Sequence, residues 1–163
     1  MKIIARSAWA LVTVLALVGC ATLRAQDQDE RENLTDLREI NILVEDLSDD
    51  AEEAGLTRRI LETAVEGRLE EQNVPLGNSR NAADLYISVD THLGATGLYA
   101  YCVEVSVQQL VTIEGNQLRT LADVWELGSL GTVGTGNLPQ VEQVVLQIVD
   151  RFIEDYLDMN SPR

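Results

Sequence analysis

Lysine is almost missing from this chain: Lys2 is the only one, and every later basic residue is an arginine. Twelve basic residues stand against 27 acidic ones, a formal net charge of −15. Such a surface repels phosphate backbones, which excludes nucleic acid as a partner. Histidine is equally scarce. With His92 alone, any Ser–His–Asp or Cys–His arrangement would hang on a single ring, and none is indicated. The two cysteines, Cys20 and Cys102, build neither a disulfide framework nor a zinc site. No cofactor motif is present, and the sequence reads as that of a non-enzyme.

What is present begins with a leader. Lys2 and Arg6 make a positive start, and Ser7–Gly19 (SAWALVTVLALVG) is an apolar run. It is well short of the ~20 residues a membrane-spanning helix needs and fits an export signal, here residues 1–19. Leu17-Val18-Gly19-Cys20 resembles a bacterial lipobox. That resemblance implies acylation of Cys20 as the first mature residue. Ala21 in place of Asp implies sorting to the outer membrane, facing the periplasm. Ordinary cleavage after Ala25, giving a soluble periplasmic or secreted protein, is the alternative. Residues 20–39 are polar and acidic and read as a tether, with an end-to-end distance of about 25 Å if flexible.

Residues 40–160 read as one domain. Ile40–Leu47 (INILVEDL) has aliphatics on both faces, the pattern of a central strand. A helical turn follows to Gly55. A helix then runs over 56–72, with Thr57 as N-cap and the stripe Leu61, Ala64, Val65, Leu69. Period-two alternation marks strands at Leu85–Val89, Tyr99–Ile113 and Leu118–Leu127. It also places Val89 opposite Tyr101 or Val103, since a one-residue slip buries Glu104. Gly115-Asn116 is expected to supply the unusual angles of the second turn. Gly128–Asn137 reads as a glycine-rich loop, and Pro139 opens a last helix with the stripe Val141, Val145, Ile148, Phe152, Tyr156. The order β-α-β-β-β-α predicts an α+β fold. It is a two-layer sandwich with a four-stranded mixed, mostly antiparallel sheet and both helices on one face.

The glycine segment lacks the Gly-Lys-Ser/Thr ending of a phosphate loop and reads as a tight connection. The polar side of the sheet collects Tyr86, Asp90, His92, Cys102 and Glu104, a candidate interaction or ligand face; no metal site is implied. Trp125 either lies in the core under a helix or joins that face in an exposed patch.

The segments Val44–Leu47, Tyr99–Gln109 (YCVEVSVQQ after Tyr99-Ala100), Val124–Gly134 and Ile148–Asn160 together resemble a family of small secreted bacterial proteins. The resemblance covers residues 40–160 and implies no catalytic residue. The expectation is a non-enzymatic envelope lipoprotein, held on a membrane through Cys20, that binds another envelope protein. A small-ligand or cation-binding secreted protein is the alternative.

Overall fold

The computed structural model describes residues 28–79 and 82–160. The leader, Cys20 and the bond after Ala25 lie outside them. The chain runs α1 (helical over residues 28–32), β1 (Ile40–Val44), α2 (Asp49–Glu53), α3 (Arg58–Glu71), β2 (Ala83–Leu93), β3 (Leu98–Thr112), β4 (Arg119–Gly134), a 3-10 turn (Thr135–Gln140) and α4 (Val141–Asn160). The sheet order is β1-β2-β3-β4, with β1 parallel to β2 and the other pairs antiparallel. This is the expected four-stranded α+β sandwich.

Local chemistry sets the helix ends. Gly55 (φ 95°) closes α2: its N–H reaches Glu52 O, and Leu56 N–H reaches Ala51 O. The same paired bonds close α3 with Asn73 (φ 58°) in the left-handed position: its N–H reaches Glu70 O, and Val74 N–H reaches Leu69 O. At the start of α3 the Thr57 hydroxyl accepts from Ile60 N–H at 3.3 Å. Leu56 and Leu61 flank that cap and are fully buried.

Alternation sets the sheet. Val89 lies opposite Val103 and Ile87 opposite Val105. These residues, with Leu85 and Val107, line the face covered by α3 and α4. Phe152 is the largest fully buried side chain. Its ring centroid lies 5.5 Å from that of Trp125, edge to face, and 5.9 Å from that of Tyr156. Tyr99 is buried and donates its hydroxyl to Asp50 O, which fixes α2 to the end of β3.

Four expectations need correction. First, β1 is an edge strand, not a central one. Leu43 faces partly into solvent, and among the described residues the outer edge of β1 carries only a one-residue parallel bridge, Ile40 to Leu76. Second, Gly128–Gly134 is not a loop but the second half of β4. Gly131 sits opposite Tyr101, and a Cβ there would run into the tyrosine ring. A glycine-rich segment is strand here because the neighbouring side chain occupies the space above it. Third, the second hairpin turn takes its positive φ at Gln117 (58°), not at Gly115 or Asn116. Fourth, the segment expected to be a free tether is packed on the domain from residue 28 onward: Leu34 is fully buried and Leu37 half-buried against the core.

Candidate functional site

The open face of the sheet, away from α3 and α4, holds the predicted polar residues. Asp90 lies opposite Cys102, His92 opposite Ala100, Glu104 opposite Ser88 and Tyr86 opposite Ser106. Cys102 is a free, exposed thiol. Among the described residues, no three His, Cys, Asp or Glu side chains are grouped so as to hold a metal ion.

Trp125 does not belong to this face. Between Val107–Trp125 and Gln108–Asp123 the register skips Val124, a bulge in β4. Simple alternation would put Trp125 and Asp123 on one side. The extra residue turns Trp125 into the core and Asp123 onto the open face. There Asp123 accepts from Ser106 Oγ at 2.8 Å and from Gln108 Nε2 at 3.0 Å. Ser106 is itself buried, so the polar centre of the face lies at Ser106–Asp123 rather than at His92–Cys102. Tyr86 borders it. The Glu45 carboxylate accepts its phenol hydrogen bond, partial burial adds to the effect, and the charges of Glu45, Glu104 and Asp123 all oppose ionisation. The phenol is pushed up to about 12.

A second feature is a docked strap, residues 28–39, at the end of the sheet where β1 and β2 begin. Asp155 is buried at its centre and gathers three donors. Trp125 Nε1 donates at 3.1 Å, Arg151 Nη2 lies at 3.3 Å, and Arg31 Nε lies at 2.9 Å. The Arg31 contact is one of charge, since its Nε–H is not aligned as a hydrogen bond. Arg31 Nη2 also meets Asp158 at 2.6 Å. Asn160 Nδ2 donates to Leu34 O at 2.8 Å, the Tyr156 hydroxyl to Leu37 O at 3.0 Å, and Asn33 Nδ2 to Val124 O at 3.0 Å. In the sequence, only Leu34 and Leu37 in an acidic stretch hinted at this.

The third feature is the outer edge of β4. No strand pairs with it among the described residues. From Leu127 to Val141 the sequence carries no charge at all. Leu130 projects from this stretch on the open face and is 80% exposed. Soluble proteins guard long sheet edges with charge, proline or a cover. β4 is unguarded from Leu127 to Gly134, in a chain otherwise dense with carboxylates. The signal in the sequence was this gap in charge, masked by its glycines.

At the opposite edge, a cleft of about 540 Å³ lies between β1 and α3, lined by Ile40, Ile42, Leu76, Glu62 and Glu66.

The chain matches no family model and no curated protein. Among solved structures it is similar to a minor lipoprotein from Acinetobacter baumannii. The two are 16% identical with a TM-score of 0.35, over 73% of this chain and 94% of that one.

Proposed function

We propose that the protein is a non-enzymatic envelope lipoprotein, anchored through Cys20 in the outer membrane and facing the periplasm. Its domain docks an extended segment of another envelope protein by strand addition to β4. The observation that carries this reading is the unguarded edge of β4 between Leu127 and Gly134. A strand laid along it would satisfy the free backbone groups and cover Leu130. The lipobox-like Leu17–Cys20 supports the anchor.

Two measurements test it. A photo-crosslinking amino acid at Thr132, in cells, is expected to trap a discrete adduct with one envelope protein, and Leu130→Lys is expected to remove that adduct. Failure to trap any adduct at the β4 edge sinks the docking reading. Palmitate labelling that persists in Cys20→Ser sinks the anchor.

A second reading has its own observation. The cleft beside β1 has a volume within the range of roughly 300–1,000 Å³ usual for small-ligand sites, and Glu62 and Glu66 on its wall favour a cation. Thermal-shift screening against amines and divalent ions tests it; a flat response removes it.

A further inference from the structure

The β3–β4 hairpin outruns the rest of the sheet. β2 pairs with β3 only between Tyr99 and Gln108, so residues 109–112 and 119–122 form a two-stranded arm. Leu110 and Leu121 sit opposite each other on it, 54% and 56% exposed. Ile113 and Leu118 close its end, 45% and 60% exposed, joined by the Ile113 N–H to Leu118 O bond at 2.8 Å. Four large aliphatic side chains thus share one projecting tip. A two-stranded arm has no second layer to cover them.

Charge and chain path say what does. Within the arm Glu114 and Arg119 cancel, so the tip is neutral in a protein of net charge −15. The strap lies at the root of the arm, where Asn33 Nδ2 bonds Val124 O and Gln109 Nε2 bonds Asn33 O. The described chain begins at this end of the domain, at Gln28, eight residues after Cys20. From Gln28 to Cys20 it can reach no more than about 28 Å even fully extended. A lipid on Cys20 therefore keeps the bilayer close to the end of the domain that carries the arm.

We infer that the tip of the β3–β4 hairpin seats Leu110, Ile113, Leu118 and Leu121 in the lipid surface, as a second membrane contact beside the acyl anchor. This rests on the reading that Cys20 is acylated. Two points of contact fix the tilt of the domain, which a lipid on a chain end does not. Asp36 of the strap lies with Gln109 at the root of the arm, and the whole chain is strongly acidic, so the contact favours zwitterionic over anionic lipid.

The test uses the full chain, purified from membranes and reconstituted in phosphatidylethanolamine–phosphatidylcholine vesicles with brominated acyl chains. One variant carries Ile113→Trp at the tip. Another carries Thr96→Trp at the exposed turn between β2 and β3, at the other end of the sheet. Both positions are exposed enough to leave the fold intact, and Trp125, buried in the core, gives the baseline. Quenching at position 113 at least twofold above the baseline, with position 96 at the baseline, is the expected result. Equal quenching at both positions, or none at 113, overturns the inference. The mass of the mature N-terminal peptide separates the two ideas. An acylated protein with an unquenched tip keeps the anchor and loses the tip contact. An unacylated protein with a quenched tip keeps the contact and loses the anchor.

Discussion

Trp125 Nε1 donates to Asp155 Oδ2 at 3.1 Å across the interface between β4 and α4. The bond matters because Asp155 is buried and also holds Arg31 of the strap and Arg151 of its own helix. One carboxylate thus ties the sheet, the last helix and the strap.

Asp155→Ala removes all three partners at once. It leaves the indole N–H buried and unpaired and takes one carboxylate from each of two arginines, which keep Asp158 and Glu154 and can still reach water. The expected loss is about 2–4 kcal/mol, below the cost of stranding a fully buried charge because Arg31 and Arg151 are partly exposed. Urea unfolding followed by Trp125 fluorescence measures it, and an unchanged midpoint contradicts the assignment. The same variant is expected to open residues 28–39 to protease before the domain unfolds, because Arg31 loses the buried one of its two carboxylates.

Gly131 is fixed by its neighbour. Gly131→Ala puts a methyl group where the Tyr101 ring lies. The ring is only half-buried and can swing outward, so the expected cost is about 1 kcal/mol, the low end for overpacking. Tyr101→Ala in the same chain is expected to cancel most of that cost. A double-mutant cycle with no coupling would show that the glycine serves something else.

Tyr86 carries a pH prediction. Its phenol is pushed up to about 12, with acceptance by Glu45 the largest cause. The folded state favours the neutral phenol, so this contribution to stability is whole below the unfolded value of about 10 and is lost as pH rises from there through about 12. Glu45→Gln removes the charge and weakens the acceptor, and the Tyr86 titration is expected to move down toward 10. Difference absorbance of each protein against its Tyr86→Phe counterpart isolates this phenol from the other tyrosines. An unmoved titration would deny the Glu45 contact.

Much of this fold was legible in the sequence, for physical reasons. Period two narrows the register of β2 on β3 to Val89 opposite Tyr101 or Val103, of which the fold takes Val103, since a one-residue slip buries Glu104, and the stripe from Val141 to Tyr156 admits only one buried face for α4. The corrections share a different cause. Whether Gly131 is loop or strand depends on the Tyr101 ring, thirty residues away in the chain. Whether Trp125 is core or surface depends on a bulge at Val124, which alternation alone does not reveal. Leu34 and Leu37 look incidental among carboxylates until α4 supplies Tyr156 and Asn160 to hold their carbonyls. Each is a long-range contact, and local pattern does not encode it. Alternation puts Tyr86, Asp90, His92, Cys102 and Glu104 on one side of the sheet, and the pairing does the same. Its polar centre, Ser106–Asp123, was not, because the bulge creates it.

Leu130→Lys separates binding from folding at the β4 edge. The side chain is 80% exposed, so the replacement is expected to change unfolding stability by no more than about 0.5 kcal/mol. At the edge its effect is larger. A lysine projecting from the uncharged half of β4 is the guard that natural edges carry, and an incoming strand must desolvate it or place a residue against it. Capture of a partner at Thr132 is therefore expected to fall at least tenfold while the unfolding midpoint stays in place. Capture that survives the lysine would move the docking site away from this edge and toward the polar face around Asp123. Capture lost together with stability would mean that Leu130 packs on something within the domain, which its exposure argues against.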